Sequence, residues 1–254
     1  MIVTSTELQN NFGAYLDLCR REQIIITRNG KRRALLVPLD PDSHGYEVLE
    51  PESAYGVSNP NRVSYQEFIE LTEQDDQRYE LIDGVVYLLA APSFRHQRAL
   101  GLLYLLLVDY LGSRENCTPV LAPFDIRLTR HSVSERREPT KDDLNVGQPD
   151  LVVICHYKKD LNEKDQYWGI PELAIEILSP STRSKDCIKK LDLYIDSGIK
   201  ECWLVDPLNS IITIYFFDNY EMVETRVATV GRAAESVLFP GLQVSVEQVF
   251  GSEE

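Results

Sequence analysis

Apolar and polar positions along this chain switch between a period of two and a period near 3.6, and the switches divide it into elements. Met1 to Thr6 reads as a short strand. Thr4 with Glu7 resembles a capping box, and Leu8, Phe12, Tyr15, Leu16 and Cys19 then share one helical face. Ile24 to Thr27 and Ala34 to Val37 flank Asn29-Gly30, a hairpin signal. Ser64 with Glu67 opens a helix to about Glu73, and Asp83-Gly84 joins the strands Tyr79–Ile82 and Val85–Leu89. A helix over Ser93 to Leu111, apolar nearly all round, reads as central and buried and stops at Gly112. Val120 to Leu128 is expected to be one strand, with Asp125 pointing inward, and His131 to Gln148 a polar surface loop. The runs Leu151–Ile154 and Leu173–Leu178, bounded by Pro149, Pro171 and Ser179, read as buried strands. A helix over Ser184 to Ser197 follows, with Ile188, Leu191, Leu193, Tyr194 and Ile195 as its core face. Glu201–Val205 is a strand, Ile211–Phe217 and Met222–Val230 form a hairpin, and Val244–Val249 closes the chain as a short helix. This mixture is an α/β fold.

Composition adds limits. The 254 residues are 43% hydrophobic and 26% charged, ordinary for a globular protein of one large domain plus a small module. Leu100–Leu111 is too short for a membrane span and contains Asp109, and no signal-peptide pattern is visible, so no membrane partner and a cytoplasmic location are expected. Five scattered cysteines without zinc-site spacing are expected to be reduced thiols. The net charge of −14 argues against a general affinity for nucleic acid. Residues 1 to 40 depart from that balance, with six basic residues against four acidic, and Arg28, Lys31, Arg32 and Arg33 lie on the hairpin. Such a small module buries too little to stand alone, which points to dimerisation or docking.

Two carboxylates change the picture. Asp150 stands at the mouth of one buried strand, and Glu176 stands inside the other between Ile175 and Ile177. A carboxylate there is costly unless paired or metal-bound. Side by side, the strands bring both to one end of a sheet, and oxygen ligands of this kind suit magnesium or manganese. In the PD-(D/E)XK arrangement of metal-dependent phosphodiester hydrolysis, a lysine lies two residues after the second carboxylate; here that position is Leu178. Lys190 is the next candidate, on one helical stripe with Asp186 and Tyr194. Each residue has a plainer reading. Asp150 is a turn residue, Glu176 a partner of a buried arginine, Lys190 a solvated residue like Lys185 and Lys189, and Glu80 a strand-end ion pair. His96 reads as structural, Ser179 and Thr182 as caps, and Tyr194 and Trp203 as core.

Two family resemblances follow. Thr4 to Phe12 and Ile25 to Gly30 resemble the Phd/YefM antitoxin family over about Met1 to Pro38, which implies a homodimer that binds operator DNA through Arg28, Lys31, Arg32 and Arg33, with a toxin as a further partner. Tyr79–Gly84, His96-Gln97, Pro149-Asp150, Glu176–Thr182, Lys190-Leu191 with Tyr194, and Trp203–Pro207 resemble the Uma-type restriction-endonuclease family over about Val63 to Phe250. That resemblance implies a restriction-endonuclease-like mixed sheet flanked by helices. It also implies Asp150 and Glu176 as metal ligands, Lys190 as a catalytic lysine shifted to the following helix, and Glu80 as an additional acidic ligand. The expected organisation is residues 1–40 as the antitoxin-like module, 41–61 as linker and 62–254 as the nuclease domain. The expected activity is magnesium-dependent cleavage of DNA; the alternative is a non-catalytic DNA- or toxin-binding regulator on the same fold.

Overall fold

The computed structural model describes residues 2–4, 15, 24–28, 31–36, 62–74, 77–112, 116–179 and 185–251. The chain divides into two compact units, residues 1–58 and 59–254. In the first, β1 (Ile2–Thr4) runs parallel to β2 (Ile24–Arg28), which pairs antiparallel with β3 (Lys31–Leu36). Arg28 lies in β2, and Lys31, Arg32 and Arg33 lie in β3. The Asn29-Gly30 turn, most of the expected first helix and the 41–61 linker lie outside the described residues.

The second unit opens with α1 (Tyr65–Thr72), whose Ser64 and Glu67 form the expected capping box. β4 (Tyr79–Ile82) and β5 (Val85–Leu88) form the expected hairpin, with Asp83 at φ 50° and Gly84 at φ 77° in its turn. α2 (Phe94–Leu111) follows, then β6 (Cys117–Leu121), β7 (Ile126–Thr129) and α3 (His131–Ser134). β8 (Leu144–Gly147), β9 (Leu151–Cys155) and β10 (Leu173–Ile177) lead through a π-helical turn, Lys185–Lys190, into α4 (Leu191–Ser197). β11 (Glu201–Asp206), β12 (Ile211–Asp218), β13 (Glu221–Ala228), β14 (Ala233–Glu235), β15 (Gln243–Ser245) and α5 (Val246–Phe250) complete it.

The strands build a six-stranded mixed sheet in the order β13-β12-β11-β10-β9-β6 and a four-stranded sheet in the order β5-β4-β8-β7. Successive side chains of a strand point to opposite faces. Leu151, Val153, Leu173, Ile175, Ile177, Trp203 and Val205 therefore pack on Leu103 and Leu107 of α2, together with Val246 and Val249 of α5. Val152, Ile154, Ala174, Cys202 and Leu204 face the other way, onto Leu193 and Tyr194 of α4 and Ile126 and Leu128 of β7. Glu176 belongs to this second parity, which decides what it meets.

Several expectations are corrected. Residues 120–128 are not one strand: the chain turns at Ala122-Pro123, so β6 joins the larger sheet and β7 the smaller. Residues 131–148 are not merely a loop, because α3, a 3-10 turn at Lys141–Asp143 and β8 lie within them. The β14–β15 pair was not expected from the pattern. α2 is buried along one side only, with Phe94, Leu105 and Val108 exposed on the other, and Ile188 is exposed rather than core. Lys189 is not simply solvated; its Nζ donates to Tyr87 Oη at 2.7 Å. Finally, Cys117 and Cys155 are directly opposed in β6 and β9 and form a disulfide, not free thiols.

Candidate active site

β9 and β10 run antiparallel with Ile175 opposite Leu151, so Asp150 comes to lie across from the end of β10. Asp150 Oδ2 accepts the Ile177 N–H at 2.7 Å, and Oδ1 lies 3.2 Å from His96 Nε2 in the first turn of α2. Glu176 points toward α4, where Lys190 stands at the junction of the π-helical turn and α4. Lys190 Nζ lies 2.9 Å from Glu176 Oε1, 2.6 Å from Glu80 Oε1 and 3.6 Å from Asp186 Oδ1. One turn on, Tyr194 Oη donates to the same Glu176 oxygen at 2.5 Å. Glu80 comes from β4 of the smaller sheet and also accepts the Gln148 N–H at 2.9 Å. The two sheets thus meet through one ammonium. All four predicted residues, Glu80, Asp150, Glu176 and Lys190, gather here, and Asp150, Glu176 and Lys190 open on a cavity of about 530 Å³.

The electrostatics follow from burial. Glu80, Glu176, Asp186 and Lys190 are nearly inaccessible; the three carboxylates share the one lysine, while Asp150 lies against His96. Desolvation raises the Glu176 pKa well above the usual carboxyl value; Lys190 opposes that, while Asp186, Asp150 and Glu80 add to it. Burial works against the Lys190 ammonium, yet Glu176, Glu80 and Asp186 together hold its pKa well above the ordinary lysine value. The Tyr194 phenol is likewise pushed up, by burial first and then by Glu176 and Glu80.

Among the described residues, no three His, Cys, Asp or Glu side chains already surround a common cation position. The donor set still suits a hard divalent cation, because it is all oxygen and carries an excess of negative charge. Magnesium in particular needs only one or two carboxylates, with water and substrate phosphate completing its shell.

Other expectations sort by position. Asp125 does not reach the cluster; its Oδ1 accepts from Gln148 Nε2 at 2.9 Å. Asp206 braces its turn by accepting the Leu208 and Asn209 N–H groups. Trp203 is core and bonds to Glu201. Sequence reasoning placed Tyr194 in the core, which is correct for its ring but missed its hydroxyl on Glu176. The signal was present in the Asp186, Lys190, Tyr194 stripe, whose spacing of four stacks all three toward β10. Thr182 and Lys185 have side chains outside the described residues.

A mixed sheet with two carboxylates at adjoining strand ends, and a lysine reaching back from the next helix, defines a nuclease-like α/β domain. Residues 65–247 match the Uma2 model, described as "Putative restriction endonuclease", and the chain belongs to that family. Residues 1–61 match the model "Antitoxin Phd_YefM, type II toxin-antitoxin system". The crystal structure of a "putative nuclease belonging to DUF820" from Anabaena variabilis ATCC 29413 shares the fold at 20% identity and a TM-score of 0.58, over 74% of this chain and 97% of that one. No curated protein matches the sequence. Among the described residues no helix is long and apolar enough to cross a membrane.

Proposed function

We propose that this protein is a metal-dependent endonuclease that hydrolyses phosphodiester bonds of DNA, with residues 62–254 as the nuclease domain. The observation that carries this reading is the convergence of Asp150, Glu176 and Lys190 at one cavity, with Glu80 of the smaller sheet paired to the same lysine. Asp150 and Glu176 would hold magnesium or manganese, with Glu80 as the further acidic candidate. A bound divalent cation polarises the phosphate and lowers the pKa of its water. Lys190 places a permanent positive charge beside the reacting phosphate. Tyr194 fixes the rotamer of Glu176, and His96 fixes that of Asp150. Residues 1–40 then serve as a dimerisation and DNA-binding module, with Arg28, Lys31, Arg32 and Arg33 against backbone phosphates, a toxin as a second possible partner and 41–61 as linker. The cytoplasm is the compartment this role requires.

Supercoiled plasmid incubated with magnesium or manganese tests the reading. Wild type nicks or linearises it, and Asp150→Ala and Lys190→Ala each lose about a hundredfold or more in rate. Equal inertness of all three proteins with both metals would discard the nuclease reading. One observation favours a second reading, a regulator without catalysis. Each candidate ligand already has a protein donor: Lys190 on Glu80 and Glu176, and His96 and the Ile177 N–H on Asp150. DNA retained without cleavage is the result that selects it.

A further inference from the structure

The floor of the cavity is acidic, but one wall is not. α2 begins there, and Ser93, Arg95, His96 and Gln97 all line it. Ser93 caps the helix by accepting the His96 N–H. The start of an 18-residue helix offers unsatisfied N–H groups and the positive end of its dipole. His96 is only 8% exposed, and its Nδ1 is buried without a hydrogen-bond partner while Nε2 holds Asp150. Arg78, immediately before β4, lines the same cavity. Arg127, Arg130, Arg137 and Arg226 each face a carboxylate. Among the described residues, Arg78 and Arg95 are not ion-paired, as Arg62, Arg98, Arg136 and Arg232 are not, but these two line the cavity. Two uncompensated guanidiniums beside an acidic floor, on a chain of net charge −14, call for an anionic ligand.

We propose that the N-terminus of α2, with Arg95 and Arg78, is a phosphate subsite that holds a phosphate of a nucleotide substrate beside Asp150. The inference rests on the nuclease reading of the same cavity and names the groups that bring the anion to it. The subsite solves a charge problem: four carboxylates against one lysine repel a phosphate, and the helix terminus and two arginines offset that repulsion. The bound phosphate is either an internal diester or a terminal monoester, since both present the same oxygens.

The test uses the full chain and two measurements. The first is calorimetric binding of thymidine 3′,5′-bisphosphate, and separately of the dinucleotide TpT, without metal, to wild type, Arg95→Ala, Arg78→Ala and Arg95→Lys. Wild type binds at least one probe at millimolar concentration or below, each alanine variant binds at least tenfold more weakly, and lysine restores part of the loss. Preference for the bisphosphate assigns a terminal phosphate, and comparable binding of TpT assigns an internal one. The second is cleavage of a single-stranded oligothymidylate with manganese. There KM rises about tenfold in each alanine variant while kcat changes less, and the salt slope of log kcat/KM falls by about one. Absence of probe binding by wild type, or equal binding by wild type and both alanine variants, overturns the subsite. Arginine-dependent binding without cleavage of any DNA upholds the subsite and sinks the nuclease reading instead.

Discussion

Glu201 shows at the scale of one residue why a buried carboxylate need not mark a reaction. It is fully buried at the start of β11, yet its two oxygens accept from Trp203 Nε1 and Ser236 Oγ, each at 2.7 Å, and from the Val237 and Leu238 N–H groups, each at 2.8 Å. It staples the 236–239 turn to the sheet. Glu201→Ala strands those donors in the core, and urea denaturation is expected to register a loss of about 3–5 kcal/mol. A loss under about 1 kcal/mol would show that the donors find other partners. Glu176 differs because its partners are the Lys190 ammonium and the Tyr194 hydroxyl, and because it lines a cavity. Tyr194→Phe removes one bond to Glu176 and keeps the ring, so folding stability stays close to wild type while the cleavage rate drops about tenfold. An unchanged rate would return Tyr194 to a purely structural role. Glu176 was legible in the sequence because a charge interrupts an apolar run. Glu201 opens a strand after Gly198-Ile199-Lys200, where an acid looks unremarkable, and its burial depends on a turn some 35 residues later.

At the scale of elements, local chemistry was readable and register was not. Ser64 with Glu67, Asp83-Gly84, and Ser93 through Gly112 each signal an end or a turn within a few residues, and the structure has those elements there. β8 carries only Leu144 and Val146 as apolar markers and is fixed by pairing with β7 and β4. β6 contains Pro119, which an edge strand tolerates, so its boundary with β7 was hidden in one apolar run. The Cys117–Cys155 bridge depends on the same register, across 38 residues of sequence. Alkylation of the denatured, unreduced protein is expected to modify three of the five cysteines, and all five after reduction. Closing a loop of that length contributes about 2–4 kcal/mol, so reductant should lower the melting temperature of wild type and leave Cys117→Ser with Cys155→Ser unmoved. Five reactive thiols before reduction would remove the bridge from the account.

At the scale of the whole molecule, charge is divided unevenly between the two parts. The chain totals −14, and residues 1–40, with six basic and four acidic side chains, contribute +2; residues 41–254 therefore carry −16. A body of that charge repels duplex DNA at long range, and counterion release by lysine and arginine dominates protein–DNA affinity. On the proposed reading, affinity for a long duplex comes mainly from the basic strands β2 and β3, whereas capture of a single phosphate at the cavity needs only a few groups. The two functions separate experimentally. In the full chain, replacing Arg28, Lys31, Arg32 and Arg33 by alanine is expected to reduce the slope of log K against log salt for a 30-base-pair duplex by about 3 to 4 per protomer. Cleavage of a short single-stranded oligonucleotide should fall less than threefold in the same variant. If duplex affinity and its salt slope survive the four replacements, DNA reaches this protein through the acidic unit, and β2 and β3 have some other partner. If oligonucleotide cleavage falls with duplex binding, the two units act as one site and cannot be assigned separate tasks.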